Sequence, residues 1–130
     1  MTASFDWSLT EATRAWTQRF LKLNGGKPPS MIHAGTYGGT LHYLKAVQAA
    51  GTTEATKVVA KMKELPVDDF YTKATIREDG RVMRPYYLME VKKPEESKGP
   101  FDYTKLLATI PPEDAARPLS EGGCPMLKKS

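Results

Sequence analysis

Apolar positions recur every three or four residues through the first half of the chain, and this spacing predicts three helices. Leu9, Ala12, Trp16, Phe20 and Leu23 fall on one helical face, the period of a helix laid against a core. Ser8-Leu9-Thr10-Glu11 precedes them as a capping box, in which the Ser8 hydroxyl accepts from a first-turn N–H and Glu11 reaches back. Asn24-Gly25-Gly26 closes this helix, predicted over about 8–24, because both residue types tolerate a left-handed last turn. After the extended Pro28-Pro29, Ser30 or Thr36 opens a second helix within about 30–50. Tyr37, Leu41, Leu44 and Val47 share its inner face, and Gly51 ends it. Gly35, Gly38 and Gly39 crowd its first half at a cost in helix propensity. They imply a backbone that another surface or a ligand approaches closely. Thr52-Thr53-Glu54 caps a third helix over about 53–65, with Ala55, Val58, Val59, Met62 and Leu65 as its buried stripe and Pro66 as its stop.

The period then changes. Residues 74–77 and 82–92 are predicted as the strands of a hairpin, about 74–92, around Glu78-Asp79-Gly80-Arg81, because Asp-Gly suits a tight turn whose central residues need positive φ. Tyr86, Tyr87, Leu88 and Met89 make both strand faces partly apolar, and Pro85 marks an edge or a bend. Residues 93–100 form a charged connector. Phe101, Tyr103, Leu106, Leu107 and Ile110 are scattered, Pro111-Pro112-Glu113-Asp114 starts a helical turn through Ala116, and the chain from Pro118 is irregular. The expected class is α+β: three amphipathic helices, one β-hairpin and an extended tail. Residues 1–92 make a partial lobe and 93–130 the tail. One hairpin cannot cover three helices, so the chain is expected to be a piece of something larger, or a subunit that takes surface from a partner.

Charge and composition narrow the function classes. The net charge of +4 is spread thinly, with Lys92-Lys93 and Lys128-Lys129 the adjacent basic pairs. That argues for solvated surface and against nucleic acid. No apolar run reaches the roughly 20 residues of a spanning helix. The first residues lack the basic start and apolar stretch of a secretory signal, so a signal, if the protein is exported, is expected outside this chain. The single cysteine, Cys124, excludes an internal disulfide and a cysteine-based zinc site within one chain.

No catalytic set emerges. His33 and His42 stand nine residues apart, which fits no helical metal pair, and no metal or cofactor is expected. Asp68-Asp69 and Glu95-Glu96 are adjacent acids whose side chains diverge. Gly25-Gly26-Lys27 follows a helix and lacks the ending of a phosphate loop. Ser4, Ser8 and Cys124 have no histidine and acid in a recognisable nucleophile context. Tyr37 follows Ala34-Gly35-Thr36, where a helix start would present unpaired N–H groups to a polar ligand. The other reading of Tyr37 is a core tyrosine.

The pieces in order resemble a known family. A helix carrying Trp16 and Phe20 leads to Gly26-Lys27-Pro28-Pro29, then His33-Ala34-Gly35-Thr36-Tyr37, His42-Tyr43-Leu44-Lys45-Ala46-Val47 and Ala49-Ala50-Gly51-Thr52. Pro66-Val67-Asp68-Asp69, Ile76-Arg77-Glu78-Asp79-Gly80-Arg81 and Tyr87-Leu88-Met89-Glu90-Val91-Lys92-Lys93-Pro94 follow, with Gly123-Cys124-Pro125 near the end. This is similar to the C-terminal part of periplasmic type 1 solute-binding proteins related to the Leu/Ile/Val receptors. The resemblance implies a segment of a two-lobed α/β receptor that closes on a solute such as an amino acid and serves a membrane ABC permease. It implies ligand contact for Tyr37, with His33 and Gly35 as neighbouring candidates, and a periplasmic location. It also implies that the residues gripping the solute's amino and carboxylate groups lie mostly upstream, that the missing N-terminal lobe or a second copy is required, and that Cys124 pairs with an upstream cysteine. The alternative expectation is a self-associating interaction domain without solute binding.

Overall fold

Local capping fixes where the helices of the computed structural model begin, and the structure describes residues 1–125 and 127. A short strand β1 (Thr2–Ala3) leads to helix α1 (Glu11–Leu23). The cap of α1 is Thr10, two residues later than predicted: its hydroxyl accepts from Thr13 N at 3.1 Å, and the Thr13 hydroxyl accepts from Thr10 N at 2.9 Å. Ser8 instead hydrogen-bonds to the Asp6 carboxylate at 2.7 Å. Helix α2 (Met31–Ala50) starts at Ser30, not Thr36, and ends at Gly51, whose φ of 63° is the left-handed cap the sequence predicts. Helix α3 (Ala55–Glu64) takes Glu54 as its cap in place of a threonine, with the carboxylate accepting from Thr56 N and Lys57 N.

The buried stripe of α2 corrects the predicted face. Ala34, Gly38, His42 and Ala46 are buried, whereas Tyr37 is 42% exposed and Leu44 55%. These four positions step by four residues, and at Ala34, Gly38 and Ala46 the small side chains let neighbours approach the helix closely. On α1 likewise Thr13, Trp16 and Thr17 are buried and Leu23 is exposed, and on α3 Val58 is buried and Val59 is not. The central cluster is aromatic. Trp16 stacks on Phe70 with ring centroids 4.3 Å apart, and Phe5 meets Trp16, Phe70 and Tyr71 edge-on at 5.7–5.9 Å.

Two small antiparallel sheets complete the fold. Strands β2 (Val67–Asp68), β3 (Lys73–Ile76) and β4 (Val82–Met83) form one, in that order. Strands β5 (Tyr86–Val91) and β6 (Thr104–Ile110) join β1 in the other, in the order β1-β5-β6. The Asp-Gly turn stands, but only Gly80 has positive φ, 86°, with Gly80 N donating to Arg77 O and Arg77 N to Arg81 O. Residues 82–92, expected as one strand, break at Arg84-Pro85, so the hairpin ends at β4 and β5 turns to a different partner. The chain beyond residue 92 is more regular than its scattered apolar residues indicate: β6 pairs with β5 from Tyr86↔Ile110 to Val91↔Thr104, with a bulge beside Met89. A helical turn α4 (Pro112–Ala115) follows as expected. The basic pair at 128–129 lies outside the described residues.

The chain passes between the helical layer and the β1-β5-β6 sheet at Ser4 and again at Arg84-Pro85. Side chains fasten the two parts. Trp7 Nε1 donates to Phe101 O at 3.0 Å, Thr104 Oγ1 to Asp6 Oδ2 at 2.9 Å, and Arg81 Nη2 to Ala115 O at 2.8 Å. Much apolar surface stays open: Leu23, Ile32, Leu44, Val59, Val91, Leu106 and Leu107 are all exposed.

Candidate functional site

Helix geometry divides the three predicted ligand residues. Residues four apart share a helical face and residues two apart do not. Accordingly His33 and Tyr37 line one groove, while Gly35 lines another together with Gly39. Because α2 starts at Ser30, Tyr37 sits in its second turn, where its N–H belongs to the helical ladder. The free amides of a helix start are therefore not at Tyr37, and its candidacy rests on its ring.

The first groove encloses about 450 Å³ and is lined by Trp16, Phe20, Leu23, Ile32, His33 and Tyr37 among others. It is an aromatic trough. The Tyr37 ring meets Trp16 at 5.6 Å and Phe70 at 5.5 Å, and the His33 ring meets Phe20 edge-on at 5.0 Å. His33 Nδ1 accepts from Ser30 N at 3.0 Å, which puts the ring proton of the neutral form on Nε2 and makes His33 part of the helix cap. His42 is a buried structural residue: its Nε2 bonds to Met62 O at 2.9 Å, and a carbonyl can only accept, so Nε2 carries the proton.

The second groove, about 320 Å³, is polar. Ser4, Tyr71, Arg81, Arg84 and Tyr86 surround it, and Gly35 and Gly39 face it from α2. The Arg84 side chain is only 12% exposed. Its guanidinium lies 4.6 Å over the Tyr71 ring, hydrogen-bonds the Tyr71 hydroxyl, and has Asp69 Oδ2 at 3.5 Å. The Asp69 side chain is buried; its Oδ1 accepts from Tyr71 N and Thr72 N at 3.1 and 2.9 Å, and its Oδ2 has only the Arg84 guanidinium at 3.5 Å. Burial raises the Asp69 carboxyl above the usual carboxylate range, opposed by the Thr72 N–H and by Arg84. Burial likewise lowers Arg84, and Asp69 opposes that shift. Sequence reasoning took Asp69 for half of an adjacent acid pair with diverging side chains and did not single out Arg81 or Arg84. A lone arginine before proline gives no local sign of burial.

Gly38 answers part of the question the glycine cluster raised. A Cβ there would stand 2.6 Å from Asp69 Oδ2, so the close approach is made by this buried carboxylate; at Gly39 nothing lies within 4 Å. Gly39→Ala is therefore expected to raise stability by about 0.5–1 kcal/mol through helix propensity. Gly38→Ala is expected to lower it by about 1–3 kcal/mol through overpacking. Urea denaturation of the two variants, read as midpoints at constant slope, checks the opposite signs.

The described residues contain no cluster of three or more potential metal ligands and no helix long and apolar enough to cross a membrane. The family model described as periplasmic binding protein matches residues 1–100. The chain belongs to this family. A periplasmic binding protein from Burkholderia mallei is 47% identical, with a TM-score of 0.93 over 98% of this chain and 34% of its own. A branched chain amino acid ABC transporter periplasmic ligand-binding protein from Burkholderia xenovorans is 44% identical, with a TM-score of 0.89 over 96% of this chain and 33% of its own. The leucine-, isoleucine-, valine-, threonine- and alanine-binding protein from Brucella ovis, in a closed conformation, is 18% identical with a TM-score of 0.73, covering 91% of this chain and 32% of its own; it shares the fold. No curated protein sequence matches. The periplasmic binding protein chain thus spans about a third of the solved relatives it matches, and its α+β arrangement is a segment of their larger fold.

Proposed function

We propose that this chain supplies the C-terminal third of a periplasmic solute receptor for an ABC importer, with branched-chain amino acids or related small carboxylates as solutes. One observation carries the reading: 47% identity and near-complete superposition on a periplasmic binding protein of which this chain is only 34%. The exposed apolar side chains support it, because they are the surfaces that the other two thirds of such a receptor would cover. The role is non-covalent capture and hand-over to a permease, with no bond chemistry. Closure shifts populations between open and closed lobes. The crossings at Ser4 and Arg84-Pro85 are the places where this chain would take up such a rotation. Tyr37 and His33 stay candidates for ligand contact on the apolar groove, and Gly35 on the polar one.

Reconstitution tests the reading. The chain is co-expressed with the first two thirds of the Burkholderia mallei relative as a separate polypeptide. A 1:1 complex on light scattering, giving heat with L-leucine or another branched-chain amino acid where neither piece does alone, is the expected result. Pieces that stay apart would overturn it. A second reading, self-association without solute binding, draws on the same exposed apolar surface. A stable homodimer that neither takes up the complementary piece nor binds solute would favour it.

A further inference from the structure

We infer that residues 111–117 form a latch, a third and breakable link between the helical layer and the β1-β5-β6 sheet beside the two covalent crossings. Leaving β6 at Ile110, the chain makes the single turn α4 and then lies across the tip of the β3–β4 hairpin. Two arginines of that tip hold it: Arg81 Nη2 donates to Ala115 O at 2.8 Å and Arg77 Nη1 to Arg117 O at 3.0 Å. Ala116 between them is extended, with φ −114° and ψ 134°, so the carbonyls of residues 115 and 117 point to one side, toward the hairpin. The tip itself is tied to the helical layer, because Lys63 of α3 donates to Glu78 O at 2.6 Å.

The catch is built into the hairpin. Arg77 Nε and Nη2 donate to the Asp79 carboxylate at 3.0 and 2.6 Å, and Arg81 N donates to the same carboxylate at 3.2 Å. This pairing holds the Arg77 fork with Nη1 turned to the strap, and it lies wholly within the hairpin, so it persists when residues 111–117 lift away. Release uncovers little apolar surface: Ala116 is the one buried side chain of residues 111–117, and it is a single methyl. The freed guanidinium and carbonyl groups meet water instead of each other. Two charge-assisted bonds and one methyl thus hold one orientation of the two layers and still open reversibly. With the latch closed, the crossings at Ser4 and Arg84-Pro85 are held at one angle; with it open they are free to turn. The use of that freedom in a receptor rests on the proposed closure, whereas the restraint is a property of this chain alone.

Pulsed electron spin resonance on the whole chain measures the restraint. With Cys124→Ser as background, nitroxides are attached at Ala60→Cys on α3 and Leu107→Cys on β6, both exposed positions. One narrow distance distribution is expected in this parent. Arg77→Met together with Arg81→Met removes both donors, and Ala116→Gln separately crowds the strap from its own side. Each change should raise a second, displaced distance population about tenfold or more. Near-ultraviolet circular dichroism establishes that the variants are folded. An unchanged distribution in either folded variant would overturn the latch and leave the receptor reading standing. Failed reconstitution with the complementary piece would do the reverse.

Discussion

Trp16→Ala is expected to be the most damaging single change, removing about 3–5 kcal/mol of stability. Trp16 is 5% exposed and touches Phe5, Phe20, Tyr37 and Phe70, so its loss leaves a cavity bordered by four aromatic rings that cannot all collapse into it. Small proteins have only about 5–15 kcal/mol in total. The expected result is a chain unfolded, or nearly so, at 37 °C, read by loss of near-ultraviolet circular dichroism and a fallen urea midpoint. Trp16→Phe, which keeps a ring against Phe70, should recover much of the loss. A variant within about 1 kcal/mol of the parent, the cost of an ordinary substitution, would show that this cluster is not the core.

Arg84→Met keeps the volume but strands Asp69, and is expected to cost about 3–5 kcal/mol at pH 7. Its pH dependence separates charge from packing. The folded Asp69 carboxyl is already raised above its unfolded value, chiefly by burial. A raised acid pKa means that the folded state holds the proton more tightly, so stability falls as pH rises from the unfolded value through the folded one. Without Arg84 the folded value rises further, and the gap between variant and parent should be wide at pH 7 and narrow toward pH 4. Asp79, lowered to about 2 chiefly by its hydrogen bond from Arg77, works the other way and is lost as pH falls, but equally in both proteins. Urea midpoints at several pH values check the convergence. A pH-independent gap would assign the loss to packing alone.

The helices were legible because their signals are local: Ser30, Gly51 and Pro66 act within a turn of themselves. Which side of α2 is buried was not, because Tyr37 and Leu44 outweigh Ala34, Gly38 and Ala46 in any hydrophobic ranking, and only the nearness of Asp69 and Tyr71 explains the choice of small residues. The break at Pro85 was visible as a bend. The change of sheet that follows was not, since β5 takes β1 as one neighbour, and Ala3↔Tyr87 pairing leaves no trace in either short segment. At the candidate site, nearness in sequence grouped Gly35 with His33 and Tyr37, and the helical period of α2 separates it from them. The Arg84–Asp69 pair became apparent only in the fold, which brings together residues 15 positions apart at the ends of β2 and β4.

The pairing of β1 with β5 also sets an order of events during synthesis. Thr2 and Ala3 leave the ribosome well before their partners Leu88 and Tyr87 exist, a delay of roughly 4–17 s at about 5–20 residues per second. Phe5 likewise has neither Phe70 nor Tyr71 to rest against until the chain has been made through residue 71. Residues 2–5 are thus made well before the segments that house them, and a nascent chain stalled before residue 70 would carry them uncovered, a natural target for a holding chaperone.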